Sequence, residues 1–139
     1  MAEPVIFEAP LRVRYAETDK MGVVYNANYF IWFEIGRVEL MRSLGYSYQQ
    51  MELDHLNLPV VEASCRYKHS ALYDDELLIT TRISQLRPSL IRFRYEVLRS
   101  NDRKLLAEGE STHLVVGPGM KKTRLPEKYW KPFSAAAGL

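Results

Sequence analysis

One isolated carboxylate, Asp19, lies in a glycine-containing loop just ahead of a strongly apolar segment. If that segment is a helix, its N-terminus can stabilise a developing oxyanion, and the carboxylate beside it can act as a general base or a nucleophile. The alternative is that Asp19 only caps a turn. No other set of catalytic residue types in the chain is as compact, so residues 14–37 are the expected centre of any chemistry.

The histidines and the single cysteine indicate no second kind of chemistry. His55, His69 and His113 lie in separate segments without metal-ligand spacing. We therefore expect neither a metal nor another cofactor. Cys65 alternates with apolar neighbours and is predicted to be a core residue rather than a nucleophile. A lone cysteine excludes an intramolecular disulfide and is typical of a reducing compartment.

The composition is typical of a soluble globular protein. A length of 139 residues favours one domain over residues 1–139, and 47% of the residues are hydrophobic while 26% are charged. The net charge of +2 is too weak to indicate a nucleic-acid partner. The N-terminus lacks signal-peptide features, and no stretch reaches the roughly 20 apolar residues of a membrane span. We expect a cytoplasmic protein without a membrane span.

Two elements must position the candidate carboxylate. Alternation over residues 11–17 predicts a half-buried strand in which Tyr15 faces inward. Residues 28–44 are apolar almost all the way round, which predicts a buried helix. Asn26 or Asn28 suits the N-cap of this helix.

The end of this helix also carries local signals. Glu34 and Arg37 stand at a spacing that allows an ion pair on the helix surface. Gly45 is predicted to end the helix, and residues 47–50 have the form of a capping box that opens a short second helix.

Beyond residue 58 the pattern changes to strands. Alternation and β-branched runs predict four strands, at residues 59–68, 76–86, 90–99 and 104–116. In the first of these, alternate residues including Cys65 are expected to face the core. Gly109 is predicted to be a bulge or bend, Pro126 to start a short terminal helix, and residues 134–139 to fray. The core is expected over about residues 8–118, with a C-terminal tail over 119–139.

This order of elements predicts an α+β fold. One curved, antiparallel, five-stranded sheet wrapped around a long central helix buries both the apolar helix and the alternating strands. Such a sheet leaves edge strands and one face partly uncovered, so dimerisation is expected.

Several runs of residues at fixed spacing carry a resemblance to a known family. They are R-Y-x-E-T-D-x-M-G-V-V-Y-x-A-N-Y over residues 14–29, W-F-E-x-G-R over 32–37, L-P-V-V-E over 58–62, and Y-D-D over 73–75. With these runs the chain resembles the 4-hydroxybenzoyl-CoA thioesterase-like branch of the hotdog-fold superfamily over about residues 8–118. The resemblance implies a hotdog fold and hydrolysis of acyl-CoA thioesters by a homo-oligomer, either a homodimer or a dimer of dimers (homotetramer).

The resemblance also implies roles for particular residues. The catalytic carboxylate of the branch falls on Asp19, as general base or nucleophile, and the backbone N–H that polarises the thioester carbonyl falls on Asn26. Many members have His where this chain has Asn26, so any imidazole role is lost while the backbone donor remains. Some hotdog thioesterases use an acid from the region of Glu62, brought to the site by an opposed subunit. The alternative is that Glu62 faces solvent.

Further candidates lie around the carboxylate and on the sheet. Tyr15 is expected either to hydrogen-bond Asp19 and assist catalysis or to be a plain core residue, and Tyr25 either contacts substrate or only packs. The candidate contacts for CoA phosphates are Arg87, Ser89, Arg92 and Arg94, with Lys68 and His69 near them in sequence. The alternative is that Arg92 and Arg94 only keep an outer sheet face soluble.

Two other functions remain open at this stage. One is a non-catalytic acyl-CoA binder that uses the same pocket, against which only the presence of Asp19 speaks. The other is a hotdog hydratase or dehydratase, which needs a His and an acid together and is disfavoured by Asn26. The acyl group, and the choice between CoA and acyl carrier protein as its carrier, are left open by the sequence.

Overall fold

The chain forms one antiparallel sheet crossed by a long helix. The computed structural model describes residues 3–139. Its elements are β1 (Phe7–Arg12), α1 (Asn28–Ser43), α2 (Tyr48–Leu53), β2 (Val60–Tyr67), β3 (Glu76–Arg87), β4 (Leu90–Arg99), β5 (Leu105–Leu114) and α3 (Glu127–Ala136). The sheet has five strands in the order β1-β3-β4-β5-β2, and every neighbouring pair is antiparallel. The predicted α+β fold, a five-stranded sheet with a central helix, is confirmed.

The first strand lies nearer the N-terminus than predicted. β1 ends at Arg12, which pairs with Glu76, the first residue of β3. Beyond that pair the chain leaves the sheet, and Tyr15–Glu17 form a 3₁₀ turn. Tyr15 is therefore 77% exposed instead of facing inward. The prediction of a strand over residues 11–17 is wrong beyond Arg12.

The core lies between the inner face of α1 and the sheet. α1 packs mainly over β1 and β3. Trp32, Phe33 and Leu40 are buried there, and Phe33 stacks on Tyr95 of β4 with ring centroids 4.4 Å apart. A Cβ on Gly109 of β5 would lie 2.6 Å from the Phe33 ring. Gly109 therefore marks a close approach within a continuous ladder, and not the predicted bulge.

The edge strand β2 is exposed on both faces. Because α1 packs mainly on β1 and β3, at the opposite edge of the sheet, little of it covers β2. Cys65 is only half-buried. The prediction that alternate residues of this strand face a core is therefore wrong for the single chain. Across from β2, Phe30 and Ile31 on the outer face of α1 line a cavity of about 350 Å³ with Val60 and Ala63.

The predicted N-caps of α1 and α2 have different outcomes. Ala27 precedes the first turn, and no side chain caps it. Asn28 Nδ2 instead donates to the carbonyl of Glu17 at 2.9 Å, so the predicted asparagine N-cap is wrong. After the helix, Ser47 Oγ accepts from the backbone N–H of Gln50 at 3.1 Å, which confirms the serine N-cap of the capping box predicted over residues 47–50.

A chain of buried polar groups runs from α1 into the sheet. Arg37 donates to the Tyr95 hydroxyl at 3.5 Å, and that hydroxyl contacts the hydroxyl of Ser111. Ser111 Oγ lies 2.7 Å from His113 Nε2, and His113 Nδ1 lies 2.9 Å from the carbonyl of Leu58. Because the carbonyl only accepts, Nδ1 carries the proton and Ser111 donates to Nε2. Arg37 Nε also donates to the Tyr48 hydroxyl at 3.2 Å. Arg37 thus binds two hydroxyl groups and forms no ion pair with Glu34, contrary to prediction.

The C-terminal segment is packed against the core. α3 begins after Pro126, as predicted. Its residues Tyr129, Phe133 and Ala136 are buried, and the carbonyl of Ala136 accepts from the backbone N–H of Val5 at 2.8 Å. The prediction of a frayed end is wrong, because apolar side chains on one face of α3 reach the core.

Candidate functional site

A cavity of about 350 Å³ lies beside the start of α1. The polar and aromatic residues that line it include Asp19, Asn26, Tyr29, Tyr67, Lys68 and His69. The first three come from the loop and helix singled out in the sequence, and the others come from the end of β2 and the segment after it. The fold therefore places the candidate carboxylate and the candidate backbone donor on one cavity.

Asp19 is held by a tight turn. Its Oδ1 accepts from the backbone N–H of Met21 at 2.8 Å, and its carbonyl accepts from Gly22, whose φ of +79° favours glycine. The backbone N–H of Asp19 donates to the carbonyl of Val23 at 2.9 Å. The turn-capping role considered from the sequence thus applies to one carboxylate oxygen. Within residues 3–139 the second oxygen, Oδ2, accepts no hydrogen bond.

Asn26 presents an unused donor at the helix start. Over the described residues, its backbone N–H donates to no acceptor. Its carbonyl is bound on both sides, since it accepts from the Tyr29 N–H at 3.3 Å and from the Tyr67 hydroxyl at 3.0 Å. The N-terminal end of a helix favours negative charge. The backbone at Asn26 is therefore both fixed and able to receive an oxyanion.

Tyr67 was not identified from the sequence as a site residue. Burial, together with its contact to Cys65, raises the pKa of Tyr67 to about 12. Its hydroxyl therefore stays protonated at neutral pH and donates to Asn26. Burial also raises the pKa of the Cys65 thiol, so the prediction that Cys65 is not a nucleophile agrees with its environment.

Glu17 and Trp32 form a second contact that sequence reasoning missed. Glu17 is 6% exposed, and its Oε2 accepts from the Trp32 indole N–H at 2.9 Å. Their separation along the chain hides this pair from any local pattern. The available signal was the spacing of Arg14 and Glu17, which matches the N-cap and N3 positions of a capping box.

Neither Tyr15 nor Tyr25, the two tyrosines predicted near the site, is among the residues that line the cavity. Tyr15 packs edge-on against Tyr73 with ring centroids 5.8 Å apart. Tyr15 and Asp19 do share the border of a separate, open depression. Tyr25 is 53% exposed, and it is tied to the loop through its backbone N–H, which donates to the carbonyl of Glu17.

Of the candidate CoA contacts, Lys68 and His69 line the Asp19 cavity, whereas those at residues 87–94 lie toward the opposite end of the sheet. Tyr67, at the cavity, pairs with Ala107, which pairs with Val97, which in turn pairs with Ile79. Arg87 lies eight residues beyond Ile79 in β3, which is roughly 25 Å at the usual rise of a strand. Within one chain, a phosphate at Arg87 and a thioester at Asp19 are therefore far apart.

The remaining candidates are spread along the sheet. Ser89 lies in the turn between β3 and β4, and Glu62 is exposed on β2. Arg92 Nε donates to Thr112 Oγ1 at 3.0 Å and lies 3.8 Å from a carboxylate oxygen of Glu110. The same carboxylate pairs with the neighbouring Arg94 at 2.8 Å. These ion pairs agree with the alternative that the two arginines solubilise the outer sheet face.

Residues 3–139 contain neither a cluster of metal ligands nor a membrane-spanning helix. In this range no three His, Cys, Asp or Glu side chains are grouped so that they could hold a metal ion. None of its helices is both long enough and apolar enough to cross a bilayer.

Comparisons with known proteins agree on one family. Residues 13–132 match a family model described as the thioesterase-like superfamily. The chain is 32% identical over 123 residues to the acyl-CoA thioester hydrolase YbgC of Escherichia coli, covering 88% of this chain and 91% of that protein. It is 35% identical over 95 residues to the acyl-CoA thioesterase YbgC of Haemophilus influenzae, covering 68% and 70%.

A solved structure of a similar protein has the same fold as this chain. The DHNA-CoA thioesterase of Staphylococcus aureus superposes with a TM-score of 0.86 at 29% identity, covering 96% of this chain and 89% of that one. The hotdog fold expected from the sequence is confirmed.

Proposed function

Since the chain belongs to the thioesterase-like superfamily, we propose that it hydrolyses the thioester of an acyl-CoA to the free acid and CoA. The observation that supports this most directly is that Asp19 and Asn26 border one cavity. Oδ2 of the carboxylate and the Asn26 N–H have no partner among residues 3–139. The names of the relatives, which are acyl-CoA thioesterases, agree with this chemistry.

In the first of two routes, Asp19 is a general base. Its carboxylate takes a proton from water while the water oxygen attacks the carbonyl carbon. The carbonyl electron pair moves onto oxygen, where the Asn26 N–H and the positive end of α1 stabilise it. Collapse of this tetrahedral intermediate breaks the C–S bond, and the proton held by Asp19 passes to the departing thiolate or to solvent.

In the second route Asp19 is the nucleophile. A carboxylate oxygen attacks the carbonyl carbon, the C–S bond breaks, and a mixed anhydride joins the acyl group to Asp19. Water then attacks the anhydride, which releases the acid and restores the carboxylate. In both routes the leaving group is a thiolate whose conjugate acid has a pKa of about 8.5. It needs little acid assistance, so one carboxylate and one oxyanion donor are chemically sufficient.

The direct test is thiol release from a panel of short-chain, long-chain and aromatic acyl-CoAs, followed with a thiol-reactive dye. We expect turnover on at least one of them, and the ranking of kcat/KM identifies the acyl class. If no acyl-CoA releases thiol while calorimetry still detects binding, the protein is a non-catalytic acyl-CoA binder and the proposal is wrong. Acyl carrier protein thioesters in the same panel decide which carrier is preferred.

We further propose that the enzyme works as a homo-oligomer joined through β2. The exposed edge of β2 offers unpaired backbone groups to a second copy. Apolar surface accompanies it, since Val60 and Val61 are 48% and 54% exposed, and Ile31 on the facing side of α1 is 51% exposed. An isologous pairing of β2 with β2 of a second copy would cover both the edge and this apolar surface.

Such a pairing would complete the site. Val60 lies at the end of β2 next to the β3–β4 turn, because it pairs with His113 while Leu90 pairs with Leu114. In an antiparallel pairing centred on β2, the Tyr67 end of one copy meets the Val60 end of the other. Arg87, Ser89 and Glu62 of the second copy would then approach the Asp19 cavity, where CoA phosphates and a second carboxylate are expected.

Mixing two inactive variants tests this arrangement. If a site takes Asp19 from one copy and Arg87 from the other, then Asp19→Asn and Arg87→Glu subunits, mixed after unfolding and refolding, rebuild one intact site in each heterodimer. Activity should return to about a quarter of the wild-type value for random pairing. No recovery, with heterodimers present by mass spectrometry, would contradict the shared site. A wild type that sediments as a monomer would contradict the oligomer.

A further inference from the structure

Glu17 is a buried carboxylate two residues before Asp19. Its Oε1 accepts from the backbone N–H of Arg14 at 2.8 Å, and its Oε2 accepts from the Trp32 indole N–H at 2.9 Å. The Arg14 guanidinium lies 3.7 Å from Oε1. A buried carboxylate is costly unless its oxygens are bound, so these donors offset the cost of burying the Glu17 side chain.

The main chain of the same residue closes the loop. The carbonyl of Glu17 accepts from the backbone N–H of Tyr25 and from Asn28 Nδ2, each at 2.9 Å. Residue 17 therefore binds the start of the loop to its end and to the first turn of α1. Its side chain adds a bond to Trp32, one turn further along the same helix, whose ring is fully buried.

We propose that Glu17 is a positioning residue for hydrolysis, an inference that rests on the proposed function. Through Trp32 and the loop closure it fixes α1 relative to the loop, and so fixes the separation between the Asp19 carboxylate and the Asn26 N–H. Catalysis depends steeply on such geometry, because a misplacement of about 1 Å can reduce the rate about a hundredfold. Glu17 itself does not line the Asp19 cavity.

A carboxylate suits this position better than an amide of the same shape. Both oxygens of Glu17 accept from N–H donors, whereas a glutamine would turn its NH₂ group toward one of them. One hydrogen bond would be lost and two donors would face each other. Glu17→Gln therefore changes the charge and one contact while it preserves the packing volume.

The kinetic test compares Glu17→Gln with Glu39→Gln, a matched change farther along α1 where the carboxylate pairs with Arg42 at the surface. At a temperature well below both melting points, we expect Glu17→Gln to lower kcat about 10- to 100-fold with KM nearly unchanged. Glu39→Gln should retain wild-type kinetics. If Glu17→Gln melts earlier but keeps wild-type kcat, Glu17 is only structural and the inference is wrong.

A double-mutant cycle tests whether Glu17 acts on catalysis through its hydrogen bond to the Trp32 indole. Trp32→Phe removes the donor to Oε2 while it retains an aromatic ring, and Trp130→Phe is the control for a tryptophan change elsewhere. In Glu17→Gln/Trp32→Phe the amide no longer faces a donor, so kcat should fall less than the product of the single losses. Independent, multiplicative losses would show that the two residues do not act together.

Hydrogen exchange provides a readout that needs no substrate. In Glu17→Gln, amides of the loop and of the first turn of α1 should exchange faster, while those of α3 keep wild-type rates. Unchanged exchange in the loop would overturn the inference even if no acyl-CoA were hydrolysed. Conversely, normal kcat in Glu17→Gln together with an inactive Asp19→Asn would overturn the inference and leave the proposed function intact.

Discussion

Mild acid should destabilise the fold through one buried side chain, His113. The ring is fully buried in β5, where its Nδ1–H binds the Leu58 carbonyl and its Nε2 accepts from Ser111. Burial, with the charge of Arg37 acting in the same sense, lowers the pKa of His113 from its ordinary 6.5 to about 4. Protonation of Nε2 would also remove the acceptor that Ser111 requires.

The sign and size of the effect follow from these two pKa values. Between about pH 6.5 and pH 4 the unfolded chain binds a proton at His113 that the folded chain does not. The stabilisation is fully present above pH 6.5 and is lost as the pH falls toward 4. At about 1.4 kcal/mol for each pKa unit, the whole loss is about 3 kcal/mol, and about 2 kcal/mol of it falls above pH 5.

Urea denaturation followed by tryptophan fluorescence measures this loss. The free energy of unfolding should fall by about 2 kcal/mol between pH 7.5 and pH 5 at one fixed protein concentration. His113→Gln should remove most of this slope, whatever its effect on overall stability, and His69→Gln, at an exposed position, should retain it. A wild-type slope in His113→Gln would refute the reasoning.

Two core substitutions test the packing of α1 on the sheet. Gly109→Ala places Cβ 2.4 Å from the Ser64 carbonyl oxygen and 2.6 Å from the Phe33 ring, so the free energy of unfolding should fall by about 2 kcal/mol or more; wild-type stability in urea would show that strand and ring yield easily. Thr81→Val removes a buried hydroxyl that has no hydrogen-bond partner among the described residues, so stability should rise by about 1 kcal/mol. A loss of stability in thermal melts would instead mean that the new methyl crowds the helix at Gly36, where a Cβ would lie 2.3 Å from that hydroxyl.

Sequence periodicity predicted the strands in which the alternation of apolar and polar residues matches the burial of the two strand faces. Over residues 90–99 apolar and polar positions alternate, and β4 occupies this range. Periodicity did not predict the end of a strand where that end is set by the partner strand. β1 stops at Arg12 because β3 begins at Glu76, and the alternation that continues to Tyr15 carries no information about that distant boundary.

Burial in the edge strand could not be predicted for a related reason. Cys65 and its neighbours have the apolar alternation of a covered strand, but whether α1 reaches β2 depends on where the helix crosses the sheet. α1 crosses over β1 and β3. The same alternation is expected of a strand that a second copy covers.

In the candidate site, the sequence predicted the residues that are close along the chain but not the contacts made by tertiary packing. Asp19 and Asn26 are close in sequence and flank one helix start, so local reasoning found them together. The contact between Glu17 and Trp32 and the bond from Tyr67 to Asn26 depend on tertiary packing. The capping-box spacing of Arg14 and Glu17 indicated only the local role of Glu17 and neither of these partners.

The central claim is that Asp19 performs the hydrolysis, and the most direct measurement is kcat/KM of Asp19→Asn on the best acyl-CoA. The matched control is Asp102→Asn, because Asp102 Oδ1 accepts from the backbone N–H two residues on at 3.1 Å, as Asp19 Oδ1 does at 2.8 Å. We predict a loss of at least about a hundredfold for Asp19→Asn and wild-type activity for the control. Robust turnover by Asp19→Asn would contradict the claim and transfer the role to another carboxylate, with Glu62 the first candidate.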